Sequence, residues 1–225
     1  MGWFFKRKKI EEEIKNVQSV VDFTLLDPRA NEKDLADLCN IAIKNKYYGV
    51  CVNGYNVEFV KRYIARKAVE NMAIIAVVGF PLGASVLSVK VAETKQVIND
   101  GADEIDVVIN IGAAKQGNWD YIKSELSRIV RISRGRVVKA IIETCYFDKD
   151  EIIKLCKVCL KAKVDYIKTS TGFGTGGATP EVIACIANAT LNKCKIKASG
   201  GIRTAKQAED LIRAGASRIG TSTEI

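Results

Sequence analysis

The chain has 225 residues, 48% hydrophobic and 27% charged, which predicts one single domain over 1–225 with a basic, amphipathic leader over 1–17. It contains no histidine, which excludes Ser-His-Asp and Cys-His nucleophiles and every metal site that depends on imidazole. The net charge is +9, but the basic residues outside Lys6-Arg7-Lys8-Lys9 lie among acidic ones, so we expect anionic substrates or mere compositional bias, and no nucleic-acid partner.

Short runs rich in valine and isoleucine alternate with longer amphipathic stretches, the pattern of βα units around a parallel sheet. Eight strands are predicted, at 20–25, 49–53, 74–80, 104–110, 137–143, 165–170, 195–199 and 218–221. Helices are predicted between them, near 32–45, 56–69, 86–99, 118–132, 149–162, 180–190 and 204–214. A further amphipathic piece, near 10–17, precedes the first strand and is a candidate cap for the floor of a barrel.

Helix start signals agree with this division of the chain. Asp148 with Glu151 and Thr204 with Gln207 have the spacing of capping boxes, and Pro180 follows Thr179 where a first helical turn tolerates proline. Similar segments at 101–106, 163–168 and 215–220 each end a helix and begin a strand. Eight such units without a dinucleotide fingerprint favour a closed α/β fold, a single-domain TIM (β/α)8 barrel, over the alternative of an open doubly wound sheet.

Functional groups of such a barrel stand at the C-terminal ends of its strands, and here those ends are polar. A barrel interior normally holds branched apolar side chains, and burial of a lone charge costs several kcal/mol, so charged residues on the strands need an explanation. The polar residues at the strand ends, charged and uncharged, are Asp22 and Thr24 on the first strand, Cys51 on the second, Asp106 on the fourth, Lys139 and Glu143 on the fifth, Lys168 on the sixth and Lys197 on the seventh.

Lys168 and Lys197 are expected on neighbouring strands, and two explanations apply to them. Two adjacent ammonium groups repel, which lowers the pKa of one and frees its lone pair to attack a carbonyl. Alternatively, either lysine forms an ordinary ion pair with Asp106 or Glu143. Spacing alone leaves both explanations open.

Three small, polar loops follow the last strands and predict a phosphate site. The loops after strands seven and eight are the frequent phosphate site of this fold, assisted by a helix N-terminus, here the one near Thr204. Glycines at strand ends are also ordinary turn residues. The candidate substrate-binding residues of the three loops are Thr171, Gly172, Ser199, Gly200, Gly201, Gly220 and Ser222.

Seven scattered cysteines fit reduced thiols in the cytoplasm better than a disulfide framework. Cys156 and Cys159 have C-x-x-C spacing within a predicted helix, which we interpret as packing. Cys51 either faces the substrate or is a small buried hydrophobe. No apolar run reaches the roughly 18 to 20 residues that cross a bilayer, so no membrane partner is expected.

Six segments closely resemble the deoxyribose-phosphate aldolase family, and the resemblance covers the chain from about residue 18. They are 78–83 (VGFPLG), 104–110 (EIDVVIN), 141–144 (IIET), 166–173 (YIKTSTGF), 176–179 (GGAT) and 197–204 (KASGGIRT). The resemblance implies a class I aldolase of deoxyribonucleotide catabolism, which cleaves 2-deoxy-D-ribose 5-phosphate reversibly to acetaldehyde and D-glyceraldehyde 3-phosphate without metal or organic cofactor. It also implies a possible homodimer.

By motif position, the resemblance implies that Lys168 forms the Schiff base, Lys197 perturbs its pKa, and Asp106 moves protons through an ordered water. Asp22, Thr24 and Cys51 match supporting positions near the substrate. The chain departs from the family at Phe23, where many members have histidine, and at Gly54, where many have proline. It also ends at Ile225, where members carry a second serine and further residues, so the strength of phosphate binding stays open.

Two other functions remain open at this stage. One is a different sugar-phosphate barrel enzyme, an isomerase or a transaldolase-like transferase, because the same phosphate loops serve many reactions. The other is a basic binding protein that kept the fold without turnover. A metal-dependent aldolase is disfavoured because imidazole ligands are lacking.

Overall fold

The computed structural model describes residues 16–225. The basic cluster and most of the predicted leader lie outside the described residues. Eight parallel strands pair in chain order, and the first pairs with the last, so the sheet closes into a barrel. The strands are β1 Val21–Leu25, β2 Gly49–Val52, β3 Ala73–Val78, β4 Glu104–Val108, β5 Val137–Ile141, β6 Tyr166–Lys168, β7 Lys195–Ser199 and β8 Arg218–Thr221. The predicted TIM barrel is confirmed.

Helices on the outside of the barrel connect successive strands. In the described chain they are α1 Glu32–Lys44, α2 Val57–Arg66, α3 Leu87–Asn99, α4 Ile111–Lys115, α5 Trp119–Ile132, α6 Lys149–Ala162, α7 Pro180–Thr190 and α8 Ala205–Ala214. Short 3-10 turns lie at Val17–Val20, Gly54–Asn56 and Thr144–Tyr146. The short helix α4 was not predicted.

Several predicted strands were too long at their C-terminal ends. The strands predicted at 74–80, 104–110, 137–143 and 165–170 end at Val78, Val108, Ile141 and Lys168. After β4 the chain turns at once into α4, where the side chain of Asn110 accepts a hydrogen bond from the backbone N–H of Ala113 at 2.9 Å. Helix α2 ends three residues earlier than predicted, before Ala68 with its left-handed φ of 51°.

The predicted helix caps are confirmed. Asp148 and Glu151 exchange side-chain to backbone hydrogen bonds at the start of α6, and Thr204 and Gln207 do the same at α8. Thr179 caps α7 directly before Pro180. These caps satisfy backbone N–H groups that have no partner within the helix.

The hydrophobic core lies mainly between the strands and the helices, while the barrel interior is only partly apolar. The helix-facing core includes Cys156 and Cys159, both free and buried, which confirms their interpretation as packing residues. Side chains alternate along a strand, so those of β1 and β4–β7 that do not face the helices point into the barrel. Among residues 16–225, no helix combines the length and apolarity that a membrane span needs.

Candidate active site

The barrel interior holds a closed ring of alternating cations and carboxylates. Each cation contacts two carboxylates. Lys139 Nζ lies 2.5 Å from Glu104 and 2.8 Å from Asp106, and Lys197 Nζ lies 2.8 Å from Asp106 and 2.5 Å from Asp22. The guanidinium of Arg218 closes the ring, at 2.9 Å from Asp22 and 3.3 Å from Glu104. Three cations meet three carboxylates, so the ring is electroneutral on its own. This pairing offsets much of the cost of burying six charges.

Lys168 is a seventh charge attached to this ring at one point. Its Nζ lies 2.9 Å from Oδ2 of Asp106. Each of the three ring cations contacts two carboxylates, whereas the ion pairs of residues 16–225 give Lys168 only Asp106. Lys168 is therefore a positive charge that remains after the three ring carboxylates have neutralised the three ring cations.

Strand register brings these side chains together. Lys168 on β6 pairs in register with Ile141 of β5 and with Lys197 of β7, and Asp106 of β4 pairs with Lys139 of β5. Gly220 on β8 leaves the room that Lys197 occupies, because a Cβ at Gly220 would lie 3.1 Å from Cε of Lys197. The lysines of three adjacent strands thus reach the single carboxylate of Asp106.

The ring fixes the charges of its members. Burial alone would raise the pKa of Asp106, but Lys139, Lys168 and Lys197 outweigh it and hold that pKa well below its usual range. Burial would likewise raise the pKa of Asp22, yet Lys197 and Arg218 lower it. For Lys197 burial opposes the charge, but Asp106 and Asp22 raise the pKa above its ordinary value. Lys197 is therefore a permanent cation beside Lys168.

A cavity of about 520 Å³ opens above the ring, at the C-terminal ends of β1, β6, β7 and β8. Lys168 lines it, with its side chain 3% exposed. Eight further residues from the sequence-based candidates line the same cavity: Thr24, Thr171, Gly172, Ser199, Gly200, Gly201, Gly220 and Ser222. The structure thus brings together the nucleophile candidate and all the predicted phosphate-loop residues.

Four candidates do not line the cavity. Asp22, Asp106 and Lys197 belong to the ring beneath it, each with no exposed surface. Cys51 is also fully buried, and burial raises the pKa of its thiol. Of the two alternatives for Cys51, its burial favours the small buried hydrophobe. Direct substrate contact by Asp22 or Cys51 has no geometric support, whereas a supporting position below the cavity does.

The ion-pair alternative describes part of this site correctly. Lys168 and Lys197 both pair with Asp106, but Glu143 forms none of the ion pairs found among residues 16–225. The carboxylate of Glu143 instead accepts hydrogen bonds from Thr171. The ammonium groups of Lys168 and Lys197 are also neighbours, as the catalytic explanation requires.

The loops after β6 and β7 pack backbone against backbone beside Lys168. A Cβ at Gly177 would lie 2.1 Å from the carbonyl oxygen of Gly200, so only glycine fits there. Gly200 itself has a φ of +86°, in the left-handed region that favours glycine. Gly200 lines the cavity without a side chain, so its main chain is open to a ligand there.

Arg203 is a cavity residue that the sequence analysis missed. It lines the cavity at the start of α8, and its backbone N–H donates to Oε1 of Gln207 at 2.8 Å. Thr204 itself caps α8 and does not line the cavity. A guanidinium suits a phosphate group because it offers several donors in one plane. The available signal was its place in the loop directly after Ser199-Gly200-Gly201.

No group of three or more cysteine, aspartate or glutamate side chains within 16–225 is arranged to hold a metal ion. The carboxylates of the barrel interior form ion pairs with lysine and arginine side chains instead.

Comparisons with known proteins agree with this geometry. Residues 17–223 match the family model described as DeoC/LacD family aldolase. The chain is 45% identical over 212 residues to the deoxyribose-phosphate aldolase of Thermococcus gammatolerans, covering 93% of this chain and 94% of that protein. It is also 45% identical over 214 residues to that of Caldicellulosiruptor saccharolyticus, covering 94% and 96%.

Solved structures give the same result. The aldolase QR15 superposes with a TM-score of 0.86 at 39% identity, covering 92% of this chain and 91% of that one. A tetrameric deoxyribose phosphate aldolase from Aeropyrum pernix superposes with a TM-score of 0.86 at 31% identity, covering 96% and 93%. An aldolase is thereby favoured over the isomerase and non-enzymatic alternatives, and the chain belongs to the DeoC/LacD aldolase family.

Proposed function

We propose that this protein cleaves 2-deoxy-D-ribose 5-phosphate reversibly to acetaldehyde and D-glyceraldehyde 3-phosphate, through a Schiff base on Lys168. The observation that carries the proposal is the position of Lys168 outside a neutral ring and on the wall of the cavity. Loss of its proton leaves the interior charges balanced. Its lone pair then faces the space where a substrate carbonyl would lie.

The chemistry follows from an amine in this place. Neutral Lys168 attacks C1 of the open-chain aldehyde, and loss of water from the carbinolamine gives an iminium ion. The C2–C3 bond then breaks: the C3 hydroxyl loses its proton and becomes the new aldehyde, while the bond's electron pair moves into an enamine on Lys168. Protonation of C2 and hydrolysis release acetaldehyde and restore the amine.

The buried charges support these proton transfers. Asp106 contacts Lys168 and Lys197 through one oxygen, and we assign it the movement of protons through a water at the carbinolamine and enamine stages. Lys197 stays cationic and keeps positive charge beside Lys168. Asp22 holds Lys197 from below at 2.5 Å.

The phosphate group is assigned to the glycine-rich loops that line the cavity. These loops offer the main chain of Gly172, Gly200, Gly201 and Gly220 and the hydroxyl of Ser222, with Arg203 as their cation. Main-chain donors at such loops bind anions. The relatives in Thermococcus and Caldicellulosiruptor carry the name of the same substrate.

The test is borohydride reduction in the presence of 2-deoxyribose 5-phosphate, followed by intact mass and peptide mapping. We expect one adduct, on Lys168, which blocks activity, and turnover that a chelator leaves unchanged. A Lys168→Arg protein, which keeps the charge, is the matched control and should give no adduct. Full turnover by Lys168→Ala, or an adduct mapped to another lysine, would overturn the assignment.

Two further assignments belong to this proposal. All seven cysteines are free thiols, which supports action in the reducing cytoplasm and fits a role in deoxyribonucleotide catabolism. A homodimer stays a prediction from the resemblance, and light scattering of the purified protein measures it.

A further inference from the structure

Glu143 lies directly after β5 in an unusual backbone conformation. Its φ and ψ are 49° and 66°, the left-handed region that residues with a Cβ rarely adopt. Its side chain is buried, with the residue 1% exposed. A residue held in this conformation needs surrounding contacts that compensate for it, so Glu143 is a candidate for a functional role.

The buried carboxylate of Glu143 accepts hydrogen bonds from Thr171, which lies three residues after Lys168. The backbone N–H of Thr171 donates to both carboxylate oxygens, each at 3.2 Å, and its hydroxyl donates to Oε2. The same hydroxyl oxygen accepts the backbone N–H of Phe173 at 3.0 Å. One carboxylate therefore fixes the turn Thr171-Gly172-Phe173, and all three of these residues line the cavity.

The rest of the loop after β6 packs closely against the carboxylate of Glu143. A Cβ at Gly174 would lie 3.2 Å from Cδ of Glu143, so the chain passes directly over the carboxylate. Further on, the backbone N–H of Ala178 donates to the carbonyl oxygens of Ser199 and Gly200, each at 3.1 Å. The loop is thus held by Glu143 at one end and by the Gly200 loop at the other.

We propose that Glu143 is a positioning residue, which shapes the Thr171–Phe173 turn so that its main chain meets the phosphate-bearing end of the substrate. The part of this inference that concerns substrate binding rests on the proposed function. Displacement of the turn would leave the buried carboxylate with only the weak thiol donor of Cys145, which is costly, so the turn keeps this shape before substrate arrives. Glu143 touches neither Lys168 nor the charged ring among the described contacts, so its effect on the reaction is through binding.

The first arm of the test is independent of activity and measures amide hydrogen exchange in the whole protein. Glu143→Gln keeps the size of the side chain but loses its charge and one acceptor. We expect exchange at Thr171 and Phe173 to rise at least about tenfold. Thr171→Val removes the hydroxyl and should loosen Phe173 equally. Glu125→Gln, which alters another buried carboxylate that accepts a backbone N–H, is the matched control and should leave the turn unchanged.

The second arm separates binding from chemistry. Glu143→Gln should raise KM for 2-deoxyribose 5-phosphate at least about fivefold with kcat within about twofold, while borohydride trapping of acetaldehyde keeps its wild-type rate. Unchanged exchange and KM would overturn the proposal, as would an equal fall in kcat and acetaldehyde trapping. A wild-type protein without turnover would refute the proposed function alone, since the exchange arm still decides the role of Glu143. If Glu143→Gln fails to fold, hydrogen exchange in Thr171→Val decides the proposal, and wild-type exchange at Phe173 would overturn it.

Discussion

Lys168 and Lys197 place their ammonium groups on the same oxygen, Oδ2 of Asp106, at 2.9 and 2.8 Å. The two lysines nevertheless differ. Lys197 has a second carboxylate, Asp22, and no exposed surface, whereas Lys168 faces the cavity. One lysine is thereby fixed as a cation, and the other is left to react.

Lys197→Met should slow Schiff-base formation, because it removes one positive charge from the ring. Lys168 is then needed as the cation that balances the three carboxylates and is less available as a nucleophile. We expect borohydride trapping at neutral pH to fall by about 100-fold. Lys197→Arg keeps the charge and serves as the control. Trapping by Lys197→Met at the wild-type rate would contradict this role.

Arg203→Met should weaken binding of the phosphorylated substrate. The change removes the cation assigned to the phosphate, so KM for 2-deoxyribose 5-phosphate should rise about tenfold or more while acetaldehyde trapping on Lys168 is unaffected. Lys206→Met is the matched control, because Lys206 lies nearby on α8 and pairs with Asp210 on the surface. Equal changes in the two variants would mean that general positive charge, not Arg203, attracts the substrate.

The sequence was sufficient to predict the barrel and the inward position of Lys168 and Lys197. Strand periodicity fixes which side chains point inward, and a lysine within an apolar strand is visible without coordinates. The ring was not predictable, because it joins Glu104 to Arg218 and Asp106 to Lys197 across the barrel. Those contacts depend on closure and register, which no local pattern encodes.

The same limit applies around the cavity. The phosphate loops were predictable because their glycines and hydroxyls follow strand ends. The bonds between Glu143 and Thr171, and the left-handed backbone of Glu143, required the packing of the loop after β6. Helix α4 was missed because its five residues are too few to show a helical period.

Asp106 should make the stability of the protein sensitive to acid. The folded-state pKa values of Asp106 and Asp22 lie below the usual one of about 3.9. Such carboxylates contribute stability that is fully present above the unfolded-state pKa and is lost as pH falls through the folded-state pKa. Urea unfolding from pH 7 to pH 2 should therefore show stability constant down to about pH 5 and declining steeply below pH 4.

Asp106→Asn tests this contribution directly. The variant leaves three buried ammonium groups without their common partner, so we expect a loss of about 3 to 5 kcal/mol at pH 7 and a shallower decline below pH 4. Asp210→Asn, in the exposed pair with Lys206, should change stability by about 1 kcal/mol at most. The same acid dependence in Asp106→Asn and wild type would place the sensitive carboxylates elsewhere.

Lys90 and Glu125 form a buried ion pair outside the barrel, between α3 and α5, with neither side chain exposed. Burial lowers the pKa of Lys90 and raises that of Glu125 despite their attraction, so the pair is a poor source of stability. Lys90→Met should cost about 3 to 5 kcal/mol, because it leaves Glu125 charged and unpaired.

The double variant Lys90→Met, Glu125→Leu should recover most of this loss in urea unfolding. Recovery should stop short of wild type by about 1 to 3 kcal/mol, because Lys90 also donates to the carbonyl of Val108 at 2.8 Å and Glu125 accepts from the N–H of Asn110 at 3.0 Å. These bonds hold the end of β4, the strand that carries Asp106. A double variant no more stable than Lys90→Met would show that the two backbone bonds, and not the unpaired charge, dominate the cost.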